Sequence, residues 1–157
     1  MPIHVRPAAP SDLPALMALL VQVNMVHHVG RPDLFRGPTT KYTEAELAAI
    51  LTDPATPVFV AVDDSGKVLG HGFCVMQHSG GRLMEDHDTL YIDDICVDEA
   101  ARGLGVGRAL YEAILAFARQ KGCYNVTLNV WTCNPGAMRF YEKLGLKPYK
   151  VGMETIL

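Results

Sequence analysis

The spacing of apolar residues along the chain predicts an alternation of strands and helices. Helical spacing occurs in four segments, from residue 10 or 11 to 23, from 43 to 51, from about 105 to 121 and from 134 to 145. Short apolar or alternating runs predict strands at 3–6, 58–62, 68–78, 91–97 and 124–131, with one or two closing strands in 147–157. A polar segment, 27–41, separates the first two helices.

This order of elements predicts the class of fold. Consecutive strands joined by a hairpin, followed by a strand–helix–strand crossover, indicate one mixed sheet with helices on both faces. The chain has 157 residues and shows no linker, repeat or low-complexity tract. We therefore expect a single domain over residues 1–157.

Composition narrows the class of partner. Hydrophobic residues make up 49% and charged residues 20% of the chain, and the net charge is −3, which gives no reason to expect nucleic acid or an anionic membrane as a partner. We find no apolar run near the roughly 20 residues of a membrane span, and no signal-peptide pattern. The cysteines form no CxxC pair and favour free thiols over disulfides or zinc; they are Cys74, Cys96, Cys123 and Cys133. These observations predict a cytoplasmic protein.

A glycine-rich loop lies at the junction of a predicted strand and the helix that follows it. Gly103, Gly105 and Gly107 alternate with other residues, and Arg102 and Arg108 flank them. Such a loop lets several backbone N–H groups converge on one anion, next to the positive end of a helix dipole. The pattern is neither a Walker loop nor a dinucleotide fingerprint. It fits a diphosphate cradle, and a glycine-rich turn without a ligand is the alternative.

Two motifs in this chain resemble those of the GNAT-type N-acetyltransferases. The first is Arg-x-x-Gly-x-Gly, formed by Arg102, Gly105 and Gly107, which resembles the family's acetyl-CoA pyrophosphate loop. The second is NPGAMRFYEKLGL, from Asn134 onward. Asn134 and Tyr141 are seven residues apart, about 20° short of two helical turns, so both would face the same way.

The resemblance implies an α/β (α+β) fold with acetyl-CoA as co-substrate. It implies one mixed, mostly antiparallel sheet of about six to seven strands, flanked by about four helices. A cleft would open where strands 91–97 and 124–131 splay apart. The acetyl-CoA-binding residues implied are Ile95, Cys96, Val97, Arg102, Gly103, Leu104, Gly105, Val106, Gly107, Arg108 and Asn134.

Catalytic roles also follow from the resemblance. Tyr141 matches a tyrosine that protonates the leaving thiolate in many members, and a core tyrosine is the alternative reading. Asp93 matches a glutamate that serves as base in several small-amine acetyltransferases; as the shorter acid it would act through water, or would anchor a cationic substrate. Because successive strand residues point to opposite faces, we expect Asp94 to accept structural hydrogen bonds on the other face.

The acceptor is less constrained by the sequence. The resemblance places the acceptor wall around the first two helices, and the candidate substrate-binding residues are His28, Phe35, Tyr91 and Asp93. No metal is expected, because the adjacent His27 and His28 diverge by about 100° on a helix. We expect acetylation of a small primary amine. A protein or peptide acetyltransferase and a non-catalytic acyl-CoA-binding module are the alternatives. Family habit and the apolar segment 151–157 suggest a homodimer.

Overall fold

The protein is described by a computed structural model that covers residues 2–157. The strands are β1 (His4–Pro7), β2 (Val58–Val62), β3 (Val68–Ser79), β4 (His87–Val97) and β5 (Asn125–Leu128). The helices are α1 (Leu13–Gly30), α2 (Glu44–Thr52), α3 (Val106–Gln120) and α4 (Pro135–Lys143), with 3₁₀ turns at Pro10–Asp12 and Glu99–Ala101.

The strands form one open sheet in the order β1-β2-β3-β4-β5. Neighbours are antiparallel from β1 to β4, and β5 runs parallel to β4. The predicted mixed sheet flanked by helices is therefore confirmed. It has five strands rather than six or seven, because residues 147–157 form no strand. All residues of this tail are exposed, and they pair with neither edge of the sheet, so the prediction of closing strands is wrong.

Helices cover the two faces of the sheet separately. On one face, Leu110 and Ile114 of α3 pack on apolar residues of β2, β3 and β4. A Cβ at Gly72 would lie 2.8 Å from Ile114 Cδ1, so the glycine in β3 is needed for this close approach. On the other face, Leu16 and Leu20 of α1 and Leu47 of α2 pack against β2 and β3. The site elements are thus held by two cores that share one sheet.

A local sequence signal accounts for the start of α2 but not for the length of α1. Thr43 Oγ1 accepts a hydrogen bond from the Glu46 N–H at 3.1 Å, and a carboxylate oxygen of Glu46 accepts one from the Thr43 N–H at 3.0 Å, so the two residues form a capping box at the predicted start of the helix. Helix α1 is longer than the polar pattern indicated, and it includes His27 and His28 in its last turn. Together with the preceding turn, Pro10–Gly30 is long and apolar enough to span a membrane by length and composition.

That property of α1 corrects the expectation that the chain has no apolar run of this size. The run is apolar on more than one face: Leu16 and Leu20 are buried in the core, whereas Val26 and Val29 are exposed. The buried leucines account for one face through packing in a globular fold.

Strand β4 carries one extra residue relative to β3 and extends beyond the end of β5. Phe73 pairs with Asp94 and Cys74 pairs with Ile92, so Asp93 is bulged out of the ladder. On the opposite edge, pairing with β5 ends at Ile92 and Leu128, while β4 continues to Val97. The two strands part at this point, and the free edge of β4 lines an opening in the sheet.

Candidate functional site

The glycine-rich loop adopts backbone conformations that favour glycine. Gly103 and Gly105 have φ angles of +78° and +84°. Gly105 is the N-cap of α3 and has no side chain to cap the helix. The first helical hydrogen bond runs from Ala109 N to the Gly105 carbonyl at 3.0 Å. The N–H groups of Val106, Gly107 and Arg108 precede this bond, so they have no acceptor within the helix.

The surroundings of the loop distinguish its glycines. A Cβ at Gly103 or Gly105 would meet open space, whereas a Cβ at Gly107 would lie 2.9 Å from Phe140 Cζ. A side chain at Gly107 would therefore press on the Phe140 ring of α4, whereas the other two glycines leave free space over the loop. Arg102 is exposed, and Arg108 lies 3.7 Å from Glu112 in an exposed pair. The free space, the unpaired N–H groups and the cationic flanks together suit an anionic diphosphate.

The free edge of β4 adjoins this loop. Ile95, Cys96 and Val97 pair with β3 on one side and have no neighbouring strand on the other. Their backbone groups can therefore bind an extended chain, as another strand would. The Cys96 thiol is buried, and burial raises its pKa to about 12. Its side chain is consequently an inert part of the core rather than a nucleophile.

Helix α4 carries the two residues predicted from the second motif. The side-chain oxygen of Asn134 accepts a hydrogen bond from Ala137 N at 3.2 Å and caps the helix, so only its amide N–H₂ and backbone remain for a ligand. Tyr141 is half-buried and its ring lies 5.1 Å from that of Phe140. Burial, then the charges of Asp94 and Tyr111, raise the pKa of Tyr141. Its hydroxyl therefore stays protonated and is able to donate a proton.

Asp93, at the bulge, already binds a cation. Lys41 Nζ lies 2.5 Å from Asp93 Oδ2, and the Tyr42 hydroxyl donates to the same oxygen at 3.2 Å. Burial lowers the pKa of Lys41, but the hydrogen bond and charge of Asp93 outweigh it, and the net pKa is raised. The carboxylate thus holds a primary ammonium group.

Asp94 lies on the same face as Asp93, contrary to the prediction of opposite faces. Asp94 Oδ2 lies 2.8 Å from Nε2 of His71, a fully buried residue of β3. The rings of His71, Phe73 and Tyr42 follow one another at centroid distances of 4.7 and 6.0 Å and connect the two acids. The bulge is the physical reason, because an extra residue breaks the alternation of side chains along β4.

The candidate acceptor residues separate into two groups. His28 Nδ1 lies 2.6 Å from the Phe35 carbonyl oxygen, and the Phe35 ring stacks on His27 at 5.0 Å and meets Trp131 edge-on at 5.3 Å. Tyr91 instead accepts a hydrogen bond from Asn129 Nδ2 at 3.2 Å. The end of α1, the segment after it and the loop after β5 therefore form an aromatic wall.

Sequence reasoning missed several residues of this region. Lys41 and Tyr42 lie just before the capping box and belong to no periodic pattern. His71 is the one histidine in the apolar first half of β3, which is the signal that could have singled it out. The sequence predicts Trp131 at the end of a strand, whereas in the structure it follows β5.

A mixed sheet that opens beside a glycine-rich loop at a helix N-terminus fits the class of acyl-CoA-dependent transferases. The chain belongs to the acetyltransferase (GNAT) family, whose profile matches residues 24–146. Members of this family use acetyl-CoA as co-substrate.

Named relatives and solved structures agree with this family. The chain is 33% identical over 96 residues to a glucosamine 6-phosphate N-acetyltransferase of Trypanosoma brucei brucei, covering 59% of this chain and 60% of the relative. It is 30% identical over 105 residues to a peptidyl-lysine N-acetyltransferase of Salmonella typhimurium, covering 66% of this chain and 60% of the relative. The matches therefore span less than two thirds of these relatives.

A crystal structure of a tetramutant protein from Bacillus halodurans superimposes with a TM-score of 0.93 at 30% identity, covering 98% of this chain and 99% of that one. An aminoglycoside acetyltransferase from a soil metagenomic sample, in complex with sisomicin, matches with a TM-score of 0.70 at 20% identity, covering 99% of this chain and 96% of that chain. The second match shows the shared fold alone.

Proposed function

We propose that the protein transfers the acetyl group of acetyl-CoA to the primary amine of a small molecule, by direct attack within a ternary complex. The observation that carries this proposal is the ion pair of Asp93 with Lys41, which places a primary ammonium group beside the opening in the sheet. An acceptor amine would take the place of Lys41 at this carboxylate. Asp93 would then anchor the acceptor.

Each part of the reaction has a candidate residue. The N–H groups from Gly103 to Arg108 would bind the pyrophosphate, with Arg102 adding charge. The free edge of Ile95, Cys96 and Val97 would pair with the pantetheine arm, and Asn134 would contact it from α4. The acceptor nitrogen would attack the thioester carbonyl, and Tyr141 would donate its proton to the departing thiolate.

The wall residues favour a cationic amine with an apolar or planar body. His28, Phe35 and Trp131 of the wall, together with Tyr91 of β4, offer ring faces and edges that would pack against such an acceptor. Arg31 is paired with Asp33 at 2.9 Å and with Glu154 at 2.6 Å, so this cation is already neutralised. Lys41 is likewise paired with Asp93. Neither of these two cations is therefore free to bind the phosphate of a sugar phosphate.

A peptide lysine is the second candidate acceptor. The specific observation in its favour is that the amine held by Asp93 is itself a lysine side chain. One relative is named as a peptidyl-lysine N-acetyltransferase, although that name describes the relative.

One assay tests both candidates. Purified protein is incubated with acetyl-CoA and panels of amino acids, polyamines, aromatic amines, glucosamine 6-phosphate or lysine peptides, and thiol release is followed. We expect release to depend on a small amine and to be faster than with peptides. Faster release with peptides would establish the second candidate, and tight acetyl-CoA binding without release in any panel would indicate a non-catalytic acyl-CoA-binding module.

We also propose that two copies of the chain associate through the tail 147–157. The tail is exposed, carries the apolar side chains of Tyr149, Val151, Met153 and Ile156, and makes no backbone hydrogen bond to the described part of the sheet. Strand β5 ends the sheet with an open edge. An exchange of tails between two identical chains would give both the tail and the open edge a hydrogen-bonding partner.

A further inference from the structure

A buried histidine holds one of the two acids of the site. His71 is fully buried, its Nε2 lies 2.8 Å from Asp94 Oδ2, and its Nδ1 is the one buried side-chain nitrogen or oxygen in residues 2–157 without a partner. A protonated ring would leave the Nδ1 hydrogen without an acceptor in the core. With its hydrogen on Nε2, the ring donates to Asp94 and leaves no hydrogen on Nδ1 that would need an acceptor.

Asp94 is less buried than His71, its hydrogen-bond partner. The relative solvent exposure of the Asp94 side chain is 15%, whereas that of the His71 side chain is zero. Its charge acts on Tyr141 from α4, on Lys41 from the segment before α2 and on Cys96 from its own strand. On β4 itself, the charged residue next to Asp94 is Asp93. From α1, the carbonyl oxygen of Leu19 lies 3.6 Å from Cys96 Sγ, on the side of β4 that also carries Asp94.

The two acids of the bulge therefore have different surroundings. Asp93 is occupied by an ammonium group and a phenol, which suits an anchor for a cation. Asp94 is held by the His71 ring alone, and its side chain is 15% exposed, against 20% for Asp93. A carboxylate in this position has lone pairs left to accept a proton.

We propose that Asp94, oriented by His71, accepts the proton that the acceptor ammonium must lose before attack, through one water molecule. This role deepens the proposed function and rests on it. Asp94 is the catalytic residue in this pair, and His71 is a positioning residue.

The proton and electron pairs balance as follows. The bound ammonium gives one proton through the water to Asp94, and the freed lone pair of nitrogen forms the bond to the thioester carbonyl carbon. The carbon–sulphur bond then breaks, its electron pair stays on sulphur, and Tyr141 protonates the thiolate. The proton still carried by nitrogen returns to Tyr141, and Asp94 releases its proton to solvent. The products are the N-acetyl amine, CoA thiol and one proton.

The decisive experiment compares substitutions at His71 and Asp94 by pH–rate profiles with an amine found active in the thiol-release assay. His71→Leu removes the donor and the unpaired Nδ1 together, and Leu suits the apolar surroundings, so we expect it to fold. Without the hydrogen bond to its charged form, Asp94 should hold a proton to higher pH. The acid limb of kcat/KM should then move up by about one pH unit, the worth of one hydrogen bond.

His71→Gln is the matched control, because its amide N–H₂ can replace Nε2–H as donor. It should bring the acid limb back toward the wild-type position, which a merely structural role of His71 would not predict. Asp94→Asn should lower kcat by about 10²–10⁴ at neutral pH, with partial recovery at high pH where the amine is already neutral. Its acetyl-CoA affinity should be unchanged.

Two results would overturn the proposal. One is an acid limb in His71→Leu at the wild-type pH; the other is a kcat within threefold of wild type in folded Asp94→Asn. Both require an active wild-type enzyme. Absence of amine-dependent thiol release in the wild type would instead contradict the proposed function, and the two failures are thereby distinguished.

Discussion

Asp93 and Asp94 are neighbours in β4, and yet both carboxylates bind side chains on the face of the sheet that α1 and α2 cover. Asp93 binds Lys41 and Tyr42, and Asp94 binds His71. The bulge opposite Phe73 and Cys74 makes this arrangement possible. Two acids with different partners can then share the work of holding a cation and accepting a proton.

The ion pair of Lys41 with Asp93 should compete with the acceptor. Lys41→Met removes the resident ammonium group, so a cationic acceptor no longer has to displace it. We expect the KM for cationic amines to fall roughly twofold to fivefold, the worth of a partly exposed ion pair, while kcat changes little. Lys67→Met, in the hairpin turn, is the control and should have no effect. A rise in KM would instead show that Lys41 itself contacts the acceptor.

The anchoring role of Asp93 predicts a change of the opposite sign. Asp93→Asn keeps the size of the side chain and removes its charge, so KM for cationic acceptors should rise with kcat largely preserved. Steady-state kinetics at saturating acetyl-CoA measures both constants. If kcat falls instead and recovers at high pH, Asp93 is the base or holds the relaying water.

Acetyl-CoA binding should depend on the space over Gly105. Gly105→Val would place a side chain where the pyrophosphate is proposed to lie, so binding measured by calorimetry should be lost. Gly66→Val is a matched control, because Gly66 has the same φ of +84° and open space around it. It carries the same backbone strain far from the loop and should bind normally. Arg102→Ala should cost only about 1.5–3 kcal/mol, one charge-assisted hydrogen bond.

If Gly105→Val is folded and binds acetyl-CoA as tightly as wild type, the loop is not the pyrophosphate site. Loss of binding in both glycine variants would show that backbone strain, rather than the ligand's space, is the cause.

Tyr141 should contribute its proton rather than its ring. Tyr141→Phe keeps the packing on Phe140 and removes the hydroxyl, so kcat should fall by about 10²–10⁴ while acetyl-CoA affinity stays the same. Because the pKa of Tyr141 is raised, the phenol is protonated throughout the working pH range, and the loss should be similar at each pH. Full activity of the variant would leave water as the proton source.

Much of the fold could be predicted because the relevant signals are local. The capping box of Thr43 and Glu46 and the glycine loop before α3 each act within a few residues, and each lies where the sequence placed it. The bulge at Asp93 could not be predicted from a period of two, since it is a property of the register between β3 and β4. The prediction of closing strands was wrong for a related reason, because an apolar extended segment forms a strand only where it pairs with the edge of a sheet.

The partners of the two acids were beyond sequence reasoning in the same way. His71 reaches Asp94 from the adjacent strand, and Lys41 reaches Asp93 across 52 positions of sequence. Neither distance leaves a periodic signal. The motifs therefore predicted a family and a cofactor loop, and the surroundings of the acids emerged only with the structure.

The pair of Arg6 and Asp12 should stabilise the fold in a pH-dependent way. Asp12 is buried and accepts hydrogen bonds from Arg6 at 2.7 and 2.9 Å and from Ala9 N at 2.7 Å. We expect Asp12→Asn to lower the free energy of unfolding by about 1–3 kcal/mol in urea titrations at neutral pH. Asp64→Asn, which breaks an exposed pair with His4, is the control and should change it little.

The sign of the pH dependence follows from the hydrogen bonds of Arg6, which lower the pKa of Asp12 in the folded state. Its contribution is complete above the ordinary carboxyl pKa of 3.8 and is lost as the pH falls through the lower, folded value. The gap between wild type and Asp12→Asn should stay constant from neutral pH to about pH 5 and then narrow. A gap that does not narrow in acid would mean that packing, not charge, gives Asp12 its effect.

The tail should hold two chains together. Removal of residues 148–157 takes away the exposed apolar segment and leaves the sheet and both cores intact, so the mass by light scattering at micromolar concentration should fall from dimer to monomer. Glu154→Gln, which breaks only the ion pair with Arg31, is the control and should remain a dimer. A wild-type protein that is already monomeric would contradict the exchange of tails. A truncated protein that is still dimeric would place the interface elsewhere, and the exposed valines of α1, Val26 and Val29, would then be the next surface to substitute.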